Sequence, residues 1–65
     1  MNKLTKRECE VVQLLFQGLT LKEIAKELAI KPNTATAHAR NLRVKLDAKN
    51  LHHVVAIALR NKYVT

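Results

Sequence analysis

The stretch KPNTATAHARNLRVKL, Lys31 to Leu46, decides how this 65-residue chain is read. Pro32 suits the first position of a helix, where its missing N–H forfeits no hydrogen bond. Ala35, Ala39, Leu42 and Leu46 then recur at steps of four, three and four, so they share one face and are expected to point at a core. The opposite side carries Asn33, Thr36, Ala37, Arg40 and Val44, with Asn41 and Arg43 at its flanks. The stretch holds Lys31, Arg40, Arg43 and Lys45 and not one acid. An exposed helix surface normally mixes both signs of charge, so this composition asks for a use.

Working outward, the residues before it predict two more helices. Thr5-Lys6-Arg7-Glu8 and Thr20-Leu21-Lys22-Glu23 are both capping boxes, in which the Thr hydroxyl accepts from the Glu amide and the Glu carboxylate accepts from the Thr amide. After the first box, Cys9, Val12, Leu15 and Phe16 fall on one face, and Gly18 is placed to end the helix in a left-handed turn. After the second, Leu21, Ile24, Ala25 and Leu28 form an apolar stripe, and the helix is expected to end around Ala29. The small residues Ala35 and Ala39 let the third helix lie close on the second. Beyond the stretch, Asn50 is the expected cap of a fourth helix, Leu51 to about Lys62, with Leu51, Val55 and Ala58 facing inward. His53, Ile57, Asn61 and Val64 lie on another side of it. The reading is an all-α fold of four helices, taken as one domain over residues 1–65.

Twelve Lys and Arg against five Asp and Glu give a formal charge of +7 and a pI near 10.1. The excess is uneven. Residues 1–27 hold five bases and four acids, whereas residues 28–65 hold seven bases and only Asp47. A basic half centred on one helix points to a polyanionic partner. The single cysteine allows no internal disulfide, and the longest apolar run, Val54 to Leu59, is too short to cross a bilayer. The expectation is a soluble cytoplasmic protein without a membrane partner.

Catalytic chemistry finds little support. Glu8 and Glu10 read as surface acids of the first helix, and no nucleophile has a base and an orienting group at a supporting spacing. Cys9, His38, His52 and His53 lack the spacing of a zinc site, and neighbouring histidines on a helix point about 100° apart. Cys9 reads instead as a small buried apolar residue. No enzyme activity, metal or cofactor is expected. A short helix, a tight turn and a longer helix with an acid-free face form a helix-turn-helix, whose second helix enters the major groove of double-stranded DNA. Ala37 and Thr36 permit close approach and offer methyl groups to thymine, while Arg40 and Asn33 can hydrogen-bond base edges.

These pieces resemble the LuxR/GerE-type (NarL/FixJ-type) helix-turn-helix DNA-binding domain over nearly the whole chain, Leu4 to Val64. The likeness is carried by LTKRECEVVQLL, then GLTLKEIAKELAI, then Thr34, His38, Asn41, Lys45 and Leu46, in that order. Each piece is weak by itself; in register they are specific. The resemblance implies a transcriptional regulator whose recognition helix is Pro32–Leu46, with base contacts at Thr36, Ala37 and Arg40. It implies phosphate contacts from Thr20, Lys22 and Thr34 and from residues toward the helix end, Asn41, Arg43 and Lys45. It also implies a weak homodimer on dyad DNA sites, paired through the fourth helix at His53, Ile57, Asn61 and Val64, and RNA polymerase as a further candidate partner. A core role for Ile57 stays open beside the pairing role. The chain departs from the family's common pattern at Ala35-Thr36, where Val-Lys is usual, and at Leu21, Lys31, Leu51 and Lys62-Tyr63-Val64. A basic contact is therefore absent at Thr36. Two other classes compete: a protein-binding module of the same fold acting as an anti-activator, and a basic membrane-active peptide. The charge of the second half opposes the first, and matched caps and core stripes oppose the second. Family members usually carry a second domain upstream, so the chain is either a stand-alone regulator or the C-terminal piece of a longer one.

Overall fold

The computed structural model describes residues 4–62, and within them the fold is all-α. Its helices are α1 (Lys6–Phe16), α2 (Leu21–Glu27), α3 (Pro32–Lys45) and α4 (Leu51–Arg60). Each start is written locally. Both capping boxes form: the Thr5 amide donates to Glu8 Oε1 at 2.8 Å and the Thr20 amide to Glu23 Oε1 at 2.8 Å, with the reciprocal amide-to-hydroxyl bonds present. Pro32 is the first residue of α3, and Lys31 before it supplies no side-chain cap. Asn50 caps α4 by accepting from the His53 amide at 2.9 Å.

The ends follow one rule with different residues. After each of α1, α2 and α3, one residue turns left-handed and the amide after it bonds back five residues: Leu19 to Leu14, Ile30 to Ala25, Ala48 to Arg43. Gly18 takes the first of these positions at φ +97°, as expected. Ala29 and Asp47 take the other two at φ +55° and +53°, and Lys62 adopts φ +62° after α4. These turns end α2 at Glu27, α3 at Lys45 and α4 at Arg60, so α4 stops two residues short of its expected limit.

The core holds Val11, Val12, Ile24, Leu42, Ala48, Val54 and Ala58, with partly buried leucines closing around it. Helix α3 packs against all three others and most extensively on α2, where Ala35 and Ala39 are buried. Three expectations are corrected. The inward residue of α4 is Val54, fully buried, while Val55 is only half-buried. Because Val54-Val55-Ala56-Ile57-Ala58-Leu59 is apolar throughout, its pattern selects no face. Cys9 is half-buried; Val11 and Val12 form the buried centre of α1. Glu8 is no surface acid: it is 4% exposed and accepts from Lys45 Nζ at 2.7 Å. The sequence conceals that burial because its partner lies 37 residues away.

Candidate nucleic-acid interface

At 100° per residue, Asn33, Ala37, Arg40 and Val44 fall within about 60° of one another, opposite Ala35, Ala39 and Leu42. The structure places those first four at the surface and the last three in the interior. Val44 is 69% exposed, an unusual position for a large apolar side chain. From Asn33 to Val44 the stripe runs about 16 Å, close to five base steps of 3.4 Å. One flank carries Thr36 and Arg43, the other Thr34 and Asn41, and all four are exposed. The Thr36 hydroxyl donates to the Pro32 carbonyl at 3.0 Å. Its proton is therefore spent on the backbone, and its oxygen is left as an acceptor.

The start of α2 brings Thr20 and Lys22 to the surface. The Thr20 hydroxyl accepts from the Glu23 amide at 3.2 Å. Backbone and hydroxyl hydrogen bonds from Thr20 hold the Glu23 carboxyl below its usual range. Among the sequence-predicted cations, Lys45 stands apart. Its ammonium lies against Glu8, on the flank of α3 facing α1. Burial, the largest single influence, pushes the Glu8 carboxyl up, but the Lys45 and Thr5 hydrogen bonds and the Lys45 charge together hold it below its usual range. Lys45 is thus engaged inside the molecule, whereas Lys22, Arg40 and Arg43 make no ion pair among the described residues.

The residues expected to pair two copies lie elsewhere, His53 and Ile57 on α4 and Asn61 just past its end. His53 turns its ring back, and Nδ1 accepts from the Lys49 amide at 3.0 Å. Ile57 is half-buried and packs on the core, and the Asn61 amide nitrogen donates to the Ile57 carbonyl at 3.1 Å. Val64 lies outside the described residues. Two neighbours of the exposed stripe were not read as interface residues in the sequence: Lys49, and Asn50 beyond its capping role, which line a shallow cleft with Arg40 and Arg43. The signal was present, since Lys49 directly precedes the cap of α4 in the half of the chain that is poor in acids. No helix among the described residues is long and apolar enough to cross a membrane.

Comparison with known proteins finds this four-helix fold again. The family model for GerE, bacterial regulatory proteins of the luxR family, matches residues 2–58. The chain belongs to the LuxR family of bacterial regulatory proteins. Members of that family are DNA-binding transcription regulators and not enzymes. The transcriptional regulatory protein UhpA of Escherichia coli is 49% identical over 47 residues, 72% of this chain and 24% of UhpA. FixJ of Rhizobium meliloti is 39% identical over 91% of this chain and 29% of its own length. The spore germination protein GerE of Bacillus subtilis is 47% identical over 88% of this chain and 77% of GerE. The chain therefore spans about a quarter of UhpA but most of GerE. Among solved structures, the transcription factor GerE superposes with a TM-score of 0.92 at 29% identity, over 100% of this chain and 97% of that one. A Vibrio cholera VqmA–ligand–DNA complex gives 0.90 at 32% identity, over 97% of this chain and 28% of that one.

Proposed function

We propose that this LuxR-family domain is a sequence-specific transcriptional regulator that lays α3 in the major groove and reads bases through Asn33, Thr36, Ala37 and Arg40. The observation that carries this reading is the exposed face of α3, free of acids and set directly opposite its core stripe. Phosphates repel carboxylates, and an unpaired guanidinium can cross the groove to guanine O6 and N7. Because Thr36 donates its proton to Pro32, its oxygen can only accept, which suits the amino group of adenine or cytosine. Thr20, Lys22, Thr34, Asn41 and Arg43 take the phosphates on either side of the groove. Lys45 joins them only by leaving Glu8.

Pairing of two copies through His53 and Ile57 of α4, with Asn61 and Val64 beyond its end as further pairing residues, would place two recognition helices on a dyad site about one DNA turn apart. Residues 1–65 act in this reading as one binding unit, with RNA polymerase as a further partner. Selection of bound duplexes from a random pool tests the proposal. A recovered consensus with two inverted half-sites supports both recognition and pairing. A consensus with one half-site supports recognition alone. No enrichment over the starting pool overturns the DNA reading and leaves a protein-binding module of the same fold.

A further inference from the structure

Two large apolar side chains stand exposed among the described residues, Val44 at 69% and Leu59 at 52%. Leu59 lies on α4. Val44 lies in the last turn of α3, within about 60° of Asn33, Ala37 and Arg40 and opposite the buried Ala35, Ala39 and Leu42. The fold draws nothing from it. Val44 takes no part in the core, and a β-branched residue at an exposed helix position is less favourable than Ala or Lys. We propose that Val44 is a further specificity-determining residue, whose methyl groups meet the C5-methyl of a thymine about two base steps along the groove from the pair that Arg40 reads.

Three arguments support the assignment, which rests on the DNA-binding reading above. The first is chemical. In the major groove the thymine methyl is the one apolar group that a base pair presents, so an apolar side chain on the reading face has a single kind of base partner. The second is spacing. Val44 lies four residues beyond Arg40, about 6 Å along the helix axis, which is close to two base steps of about 3.4 Å. Asn33 and Ala37, which share the stripe, are short and let α3 lie close enough for a valine to touch. The third is order. Leu42 is fully buried, Lys45 Nζ lies 2.7 Å from Glu8 Oε1, and the Ala48 amide donates to the Arg43 carbonyl at 2.9 Å. The end of α3 is thus held to α1 and closed by its own turn around Val44. A valine in a helix keeps essentially one χ1 rotamer. Its methyl groups are therefore ordered before DNA arrives, and little freedom is lost on contact.

The test replaces each thymine of a selected duplex, one at a time, with deoxyuridine, which removes the C5-methyl and no hydrogen-bonding group. Binding of the unaltered chain and of Val44→Ala is read by fluorescence anisotropy. For the unaltered chain, one such replacement in each half-site should weaken binding about four-fold, the factor that burial of one methyl group gives. Its place should be about two base steps from the pair whose discrimination is lost in Arg40→Ala. Val44→Ala should weaken binding to the thymine duplex by a similar factor, lose all sensitivity to that replacement, and leave binding to scrambled DNA unchanged. Its melting temperature should not fall, since the side chain takes no part in the core. Thymines met by Thr36 or Ala37 keep their uracil effect in Val44→Ala and serve as internal controls. Uracil effects that match in the two proteins at every position overturn the assignment while the DNA reading stands, as does a selected site with no thymine at that step. Equal losses by Val44→Ala on selected and scrambled duplexes also overturn it, since they mark packing against the DNA backbone. A random pool from which no duplex is enriched overturns the DNA reading and this contact with it.

Discussion

Removing the Glu8 carboxylate should cost this protein far more than removing Glu23, although the two occupy the same place in identical Thr-x-x-Glu boxes. Glu23 is exposed and serves only its own helix. Glu23→Ala loses one reciprocal capping bond in contact with solvent and should cost little. Glu8 performs the same capping and also accepts from Lys45 Nζ at 2.7 Å, in a site where the carboxylate is 4% exposed. A hydrogen bond between charged partners contributes about 1.5–3 kcal/mol. Glu8→Ala should therefore cost about 2–4 kcal/mol, a large part of the roughly 3–10 kcal/mol expected of a domain this size. The excess of about 1.5–3 kcal/mol over Glu23→Ala corresponds to roughly 6–24 °C of additional melting shift. Thermal and urea unfolding followed by circular dichroism read both variants. Lys45 makes further interactions, so the pair itself is measured by a cycle of Glu8→Gln, Lys45→Met and the double variant. Equal losses at Glu8 and Glu23, or strict additivity in the cycle, would refute the claim that α1 and α3 are joined by this ion pair. The pH dependence carries the same sign. Both carboxyls are held below their usual range in the folded protein, so the unfolded chain takes up protons first. Their contribution is complete above the ordinary carboxylate pKa of about 4.3 and is lost as pH falls through the lowered folded values. Glu8→Gln should flatten that acid limb.

The remaining expectations concern the interface and the helix ends. Arg40→Ala should lower affinity for a selected site by about 1–3 kcal/mol while barely changing binding to scrambled DNA, and Arg40→Lys should restore it only in part; equal losses on both would make Arg40 a phosphate contact. Ala29 is exposed and left-handed, so Ala29→Gly should stabilise the fold by about 0.5–1 kcal/mol in urea unfolding, since no packing is lost and the backbone strain is relieved. Ile57→Asp should lower the melting temperature of the monomer, because Ile57 packs on the core; unchanged melting with lost cooperativity on a dyad site would instead place it wholly at the pairing surface.

Much of this molecule is legible without its fold because caps and stripes are local. A Thr-x-x-Glu box closes within four residues, and Pro32 marks a helix start wherever the chain goes next. The contrast between Ala35, Ala39 and Leu42 on one side of α3 and Asn33, Ala37 and Arg40 on the other is set by 3.6-residue periodicity alone. The acid-free face could be assigned to a polyanion from composition for the same reason. What needed the tertiary structure was every feature with two distant owners. Glu8 looks like any helix-surface acid until Lys45, 37 residues on, is brought against it. Lys45 looks like one more phosphate contact until Glu8 claims it. Val54 and Val55 are equivalent in an apolar run, and only packing against α1 and α3 turned Val54 inward. Ala29 and Asp47 give no glycine signal for their left-handed turns, each of which lets the next amide bond back five residues and close the helix end. Lys49 belongs to no motif; only the fold sets it in one cleft with Leu21, Arg43 and Leu51. Local hydrogen bonds set the starts of the helices, and long-range packing chose which of their side chains remained free to meet a partner.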